Sequence, residues 1–443
     1  MVDWFYANHV IVEQGAVAMK LDDAKLLKSL DRHTEGGVQN RRIQSLEGRL
    51  VRYLLSSLGD PPLRFTLWNG ESVTGGEGHA LGSLRIADRA ALLKLLINPN
   101  LYFGDAYSDG SIEIEGDLAA LIEAVFVHRR KPVTPYSRWL NRAAKWISHG
   151  RRNTLSAARN NIHRHYDLGN DFYSLWLDQQ MSYTCAYFPT PDTTLEQAQF
   201  AKMDLVCRKL RLRPQQTVVE AGCGWGALAL HMAKQYGVRV KAFNISREQI
   251  AYAKARAQAL DLAGRVEFIE DDYRNIAGRY DAFVSVGMLE HVGPSHYDEL
   301  GRLIDRCLVS DGCGLLHSIG QNQPAPFNPW IVKRIFPGAY PPTLREMTAI
   351  LEPQGFSVID VENLRLHYAL TLKHWLRRFE DARERVSAMY DERFVRAWRL
   401  YLSGSLAAFN TGELQLFQVL FTRGGSNDVP WTRAHLYDQS ASG

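Results

Sequence analysis

The sequence predicts an α/β protein: a parallel sheet with helices on both faces and a helical or loop-rich insertion, preceded by a smaller α+β region. Three observations carry this. From about Thr217 onward, strand-like and helix-like segments alternate, the pattern of successive βαβ units. The first of these strands runs straight into alternating glycines and then a helix. Residues 1–127 mix short strands and helices without that alternation. At about 150 residues per domain, 443 residues suffice for two or three domains with cores of their own.

In chain order, Leu21 to Leu30 and Ile43 to Leu58 repeat apolar residues at helical spacing. Arg64 to Trp68 is a strand closed by a turn at Asn69-Gly70, and Ser83 to Ile86 is another. Arg89 to Leu96 is a helix ended by Asn98-Pro99-Asn100. Ser111 to Gly116 alternates as a strand and Leu118 to Val127 is helical. The βα region then offers strands at Thr217–Glu220, Arg239–Asn244, Val266–Glu270, Tyr280–Gly287 and Gly314–Ile319. Helices at Ala227–Tyr236, Arg247–Leu260 and His296–Leu308 intervene. Gln321 to Pro342 is proline-rich without periodicity, a loop-rich insertion. Helices around Ala369–Ser387 and Asp391–Ala408 precede a last strand, Gln415–Thr422.

The net charge of +4 is mild, but its distribution is not. Ala124 to Tyr166 contains no acid, while ten cations from Arg129 to Arg164 fall within it. Residues 128–152 form the linker of this block. On a helix from Ser137 to His149, Arg138, Arg142 and Lys145 follow one line beside Trp139 and Trp146. Such a face suits an anionic membrane interface, or a solvated helix packed through its tryptophans. No nucleic-acid-binding motif accompanies it. Five cysteines without a C-x-x-C, no secretory leader pattern and no spanning apolar run point to a reduced, cytoplasmic protein without a structural zinc site.

The sharpest signal is Glu220-Ala221-Gly222-Cys223-Gly224-Trp225-Gly226. Its G-x-G-x-G spacing differs from both the dinucleotide and the P-loop fingerprints. An acid, then glycines that admit a ligand to the backbone at a strand's carboxyl end, is the form used by S-adenosylmethionine-dependent methyltransferases. Asn244 and Gln249 lie where ribose hydroxyls are held, and Asp272 and Tyr273 where adenine is flanked; either pair could also be turn chemistry.

Six further segments carry a resemblance: His165–Tyr173, Met181–Phe188, Ser285–Gly293, Leu315–Gly320, Ile335–Gly338 and His367–Leu372. In this order, over roughly Asn161 to Arg423, the chain resembles the cyclopropane fatty acid synthases and their mycolic acid relatives. The resemblance implies a Rossmann-like class I methyltransferase domain at 153–443 and, more loosely, a lipid-binding domain at 1–127. It implies that Cys185, Glu290, His317, the Ile319 amide and Tyr368 hold a bicarbonate ion. That ion would take a proton from the methyl newly added to an alkene, so that the ring closes. Glu290 would accept from the ion's hydroxyl, and His317, Tyr368 and the Ile319 amide would donate. Tyr183 and Thr184 join the cofactor set, and the rings of Tyr166, Tyr183 and Tyr187 could stabilise the passing cation. Some relatives carry a cysteine near Ser403 to Ala407; here none follows Cys313. The implied protein is a peripheral enzyme of the inner membrane face that acts on unsaturated phospholipid chains, homodimeric by analogy. Methylation without ring closure, a small-molecule N-methyltransferase and a non-catalytic lipid-binding protein are the rival readings.

Membrane docking through the basic block is directly testable. Each cation near an anionic surface contributes roughly 1 kcal/mol, and salt screens it. Replacing Arg138, Arg142 and Lys145 together with Gln is expected to weaken sedimentation with anionic vesicles, most clearly at low salt, without changing cofactor affinity. Unchanged sedimentation would remove this helix from the docking face.

Overall fold

The computed structural model describes residues 45–129 and 168–437. The helix expected at Leu21–Leu30, the helix bearing Arg138, Arg142 and Lys145, and Tyr166 lie outside those residues.

In the N-terminal region, Ser45 caps helix α1 (Leu46–Ser57) by accepting from the Gly48 amide. Strands β1 (Arg64–Thr66) and β2 (Ser72–Thr74) form a hairpin across the Asn69-Gly70 turn. Strand β3 (Ser83–Ile86) follows, then helices α2 (Arg89–Ile97) and α3 (Pro99–Ser108), strand β4 (Ile112–Glu115) and helix α4 (Leu118–His128). The sheet order is β2-β1-β3-β4. The sequence treats Asn98-Pro99 only as a helix end. In the fold Asn98 ends α2 and also starts α3, its side chain accepting from the Leu101 amide. Proline at the first position of a helix removes a donor that had no helical partner anyway.

The second region opens with the short helix Asn170–Ser174, an irregular strap and helix α5 (Leu195–Lys209). A seven-stranded sheet then builds up from β5 (Thr217–Ala221), β6 (Arg239–Asn244), β7 (Val266–Glu270), β8 (Tyr280–Val286), β9 (Leu308–Gly320), β10 (Phe356–Asn363) and β11 (Gln415–Arg423). Between them run α6 (Ala227–Tyr236), α7 (Arg247–Ala259), α8 (Tyr297–Cys307), α9 (Leu344–Leu351), α10 (Arg365–Asp381) and α11 (Glu392–Thr411). The order is β10-β11-β9-β8-β5-β6-β7. The sheet is not purely parallel: β11 lies antiparallel to both neighbours. The order reverses on either side of β5, and the crevice at that switch point is where such sheets bind ligands. The expected loop-rich insertion contains a short helix, Pro329–Arg334, capped by the Asn328 side chain.

The two regions share a core. Tyr107, Leu118 and Ala119 belong to the same buried cluster as Phe172, Trp176, Trp375 and Trp398. Gly104 permits this contact, because a Cβ there would lie 2.5 Å from the Trp330 indole. Arg396, on α11, donates to the carbonyls of Tyr107 (2.6 Å) and Ile112 (2.8 Å) and to Glu113 (3.1 Å). Its guanidinium sits 4.3 Å from the centroid of the Tyr107 ring. Arg396→Met is therefore expected to strip several charge-assisted bonds from this junction, weakening it by about 1–3 kcal/mol. Hydrogen exchange should rise first in residues 99–128, with the main sheet still protected. Uniform exchange across both regions would show that Arg396 does not join them.

Candidate active site

The loop after β5 forms the first part of the site. Gly222 and Gly224 hold φ of +86° and +52°, in the left-handed region that favours glycine. A Cβ on Gly222 would strike Met288 at 2.9 Å. One on Gly224 would meet no protein atom within 4 Å, so the backbone there faces open space. Gly226 starts α6 against Phe268 and does not line the cavity.

That open space is a cavity of about 790 Å³. Glu220, Gly222, Gly224, Asn244 and Gln249 line it, as do Tyr183 and Thr184. The Asn244 amide nitrogen donates to Gln249 Oε1 at 2.7 Å and to the Gly224 backbone carbonyl at 3.3 Å. Among the described residues Gln249 Nε2 and Glu220 Oε2 are buried without a hydrogen-bond partner. Such orphaned atoms suit a polar ligand that completes them. Burial pushes the Glu220 carboxyl up to about 8, against the opposing charge of Lys202. Asp272 and Tyr273 do not line this cavity. Asp272 is instead held by the Arg274 guanidinium at 2.7 and 2.9 Å.

Lys202 and Gln199 enter the site from α5, a helix the sequence analysis did not identify. Its signal was present in Thr194 and Gln197, the N-cap and third helical residue of a capping box that opens the helix at Leu195. Gln199 Nε2 donates to the carbonyls of Ser182 (3.3 Å) and Thr184 (2.9 Å). Lys202 Nζ donates to Thr184 Oγ1 at 3.0 Å. Asp178 accepts from the amides of Gln180 (2.8 Å) and Ser182 (2.7 Å), and Thr371 Oγ1 accepts from the Ala186 amide (3.0 Å). These bonds fix the strap from Asp178 to Ala186.

A second cavity, of about 800 Å³, lies beyond the strap. Tyr183, Thr184, Gly287 and His291 line both cavities. All five residues of the implied bicarbonate set, Cys185, Glu290, His317, Ile319 and Tyr368, line the second. Most of the remaining wall is apolar, including Phe327, Ile331, Phe336, Leu372 and Phe409.

One contact differs from expectation. The Ile319 amide donates to Glu290 Oε1 at 2.6 Å, so in this arrangement it orients the carboxylate. Among the described residues Glu290 Oε2 is buried without a partner, as is His317 Nε2. The Gln418 amide nitrogen lies 3.1 Å from His317 Nδ1. With that NH₂ donating, the neutral ring carries its proton on Nε2 and offers it to the cavity. Burial, with the Lys202 and Lys209 charges, lowers His317 to about 3, so the ring stays neutral. Burial raises Glu290 to about 7 despite the Ile319 amide, and pushes the Cys185 thiol far above its ordinary value. The Tyr368 ring packs 4.5 Å from Phe409, centroid to centroid. Tyr183 bonds its hydroxyl to that of Tyr401 (2.9 Å). Tyr187 stacks on His367 at 4.8 Å and lines neither cavity.

Residues 153–419 match the family model described as mycolic acid cyclopropane synthetase, and residues 50–134 match a domain family of unknown function. The chain belongs to the mycolic acid cyclopropane synthetase family. A Pseudomonas putida protein named "Probable fatty acid methyltransferase" is 36% identical over 388 residues, 85% of this chain and 96% of that one. The Escherichia coli (strain K12) "Cyclopropane-fatty-acyl-phospholipid synthase" is 42% identical over 266 residues, 60% and 68% of the two chains. Among solved structures, mycolic acid cyclopropane synthase CmaA1 complexed with SAH and CTAB aligns with a TM-score of 0.57 and 30% identity. That alignment covers 60% of this chain and 98% of the other. The fold is the Rossmann-like fold of the S-adenosylmethionine-dependent methyltransferases, and the chain is an enzyme of that class.

The raised Glu290 pKa has a consequence for stability. A carboxyl that titrates at about 7 in the fold and near 4.5 when unfolded binds more protons in the native state between those values. Stability therefore falls as pH rises through that window, by about 3 kcal/mol if the shift is fully expressed. Glu290→Gln abolishes this term. The ligand-free variant should melt higher than the wild type at pH 8 and no higher at pH 4. An equal difference at both pH values would mean that Glu290 ionises without penalty.

Proposed function

We propose that this enzyme adds a methylene from S-adenosylmethionine across the cis double bond of an unsaturated phospholipid acyl chain, giving a cyclopropane. The observation that carries the reading is the shared wall. A polar cavity, fit for the donor, meets an apolar cavity, fit for an acyl chain, at Tyr183, Thr184, Gly287 and His291. S-adenosylmethionine supplies an electrophilic methyl group. Glu220, Gly222, Gly224, Asn244 and Gln249 would hold it, with the unpartnered Glu220 Oε2 and Gln249 Nε2 reaching its polar groups.

The base is bicarbonate in this reading. It supplies a small exchangeable proton acceptor where a protein carboxylate beside an alkylating centre would itself be at risk. The donor set fits such an ion. Glu290 Oε2 offers an acceptor for a hydroxyl, and His317 Nε2 offers a donor for an oxygen, both buried and otherwise unpartnered. The Cys185 thiol remains protonated, and Tyr368 lines the same wall. The Ile319 amide acts through Glu290 by holding its other oxygen. The aromatic side chains around them exclude water, which would otherwise quench a cation. We further propose that residues 1–127 and the basic linker bring the enzyme to the inner membrane face, where it works as a homodimer.

Methylation without ring closure is the second reading, favoured by the name of the Pseudomonas putida relative. Both products arise in the same pocket and differ in where the proton is lost.

The test combines product and base. With vesicles of cis-unsaturated phospholipid and S-adenosylmethionine, the fatty acids should gain one CH₂ and lose the double bond with no reductant supplied. A product that keeps a double bond would establish the second reading. Thorough removal of bicarbonate should slow the wild type, and adding it back should restore the rate. Glu290→Gln, which exchanges a pure acceptor for an amide, should lower the rate roughly ten- to hundredfold while donor affinity persists. Full turnover without bicarbonate would require another base.

A further inference from the structure

Lys202 is not used by the reading above, although it faces the donor cavity from α5. It is 3% exposed, one of the few lysines placed so deeply. An ammonium carries three donors and no acceptor. Here one of them goes to Thr184 Oγ1 at 3.0 Å, and among the described residues no carboxylate oxygen lies within 4.0 Å of Nζ. A buried cation held by a single neutral hydroxyl is incomplete, because burial costs far more than one such bond returns. In the same cavity Glu220 is the counterpart, a buried carboxyl with Oε2 lacking a partner among the described residues. Asp178, Cys185, Glu220 and Cys207 are the acidic groups whose field reaches Lys202, yet among the described residues neither carboxylate closes an ion pair with it. The site thus holds a buried ammonium and a buried carboxyl, neither with a charged partner at bonding distance among the described residues, both lining one cavity.

A buried amine and a buried carboxyl that a ligand of opposite charges draws into their ionised forms are complementary to a zwitterion. We infer that Lys202 recognises the α-carboxylate of the sulfonium donor while Glu220 accepts from its α-ammonium, so that the pair reads the amino-acid end of the ligand. This rests on the donor cavity assigned above and assigns Lys202 a role of its own within it. The bond from Lys202 to Thr184 adds a consequence. Thr184 lines both cavities, so the lysine that grips the donor also braces the wall through which the methyl must pass. Lys202 is a positioning and binding residue here, remote from the transferred methyl.

Binding to the full-length protein, measured by calorimetry with two probes, tests this. S-adenosylhomocysteine carries the amino-acid end; 5′-methylthioadenosine has the same nucleoside and thioether without it. Lys202→Met should weaken S-adenosylhomocysteine roughly ten- to hundredfold and leave 5′-methylthioadenosine unchanged. Equal losses for both ligands, or none for either, would overturn the assignment in favour of a structural lysine. A third probe makes the result independent of how well the variant folds. The wild type should bind decarboxylated S-adenosylhomocysteine weaker than the parent by a similar factor. If it binds both equally, no carboxylate is being read. A wild type that binds none of the three probes would overturn the donor cavity itself, a failure distinguishable from the loss of Lys202 specificity alone.

Discussion

The strap from Asp178 to Ala186 is the constraint on which the site depends. It is irregular chain running through the interior, so its amides and carbonyls cannot be satisfied by a helix or a ladder and must find buried side chains. Asp178, Gln199 and Thr371 provide them, from the strap itself, α5 and α10, while Lys202 holds the Thr184 hydroxyl. Gln199, Lys202 and Thr371 sit on helices, so the strap is anchored to regular structure on both sides. Tyr183 and Thr184 are thereby held as a partition between the two cavities, and Cys185 is turned into the second.

Low polarity sets the chemistry on both sides of that partition. With water excluded, each ionisable group is displaced toward its neutral form: Glu220 up to about 8, Glu290 up to about 7 and His317 down to about 3. The displacement has two uses. It keeps His317 neutral at any physiological pH, and it leaves both carboxyls sensitive to what binds beside them. A bound cation or hydroxyl donor restores the ionised state, so ligand binding and protonation are coupled in this site.

The N-terminal region is joined to this arrangement through the elements that wall the second cavity. Trp330 packs on Gly104, and Arg334 pairs with Asp105 at 2.9 and 3.0 Å, both from the insertion that also supplies Ile331 and Phe336. Arg396 ties α11, which carries Tyr401, Ser405 and Phe409, to the same region. The apolar cavity is thus shaped partly by a region that contributes no residue to its lining.

The local sequence sufficed for the βα core. Strands such as Arg239–Asn244 and Val266–Glu270 are short apolar-rich runs bounded by turns, and the periods of strand and helix separate them cleanly. The glycine loop was legible for a different reason: its residue types are restricted by chemistry. The Cys185, Glu290, His317, Ile319 and Tyr368 set came from the family resemblance alone, and the fold brings those five residues to one cavity. Strand β10 was not legible, because its half-buried pattern lacks the continuous apolar character of its neighbours and its identity comes from pairing with β11. Helix α5 was missed for its polar residues, Gln199 and Lys202, which point inward to serve the strap. Only the tertiary structure could bring Lys202 and Glu220 to one cavity, commit the Ile319 amide to Glu290 and set Asp272 against Arg274 and away from the donor cavity. Composition and periodicity report which face of an element is buried. They do not report which polar group will be left without a partner, because that is decided by atoms distant in the chain meeting where water cannot follow.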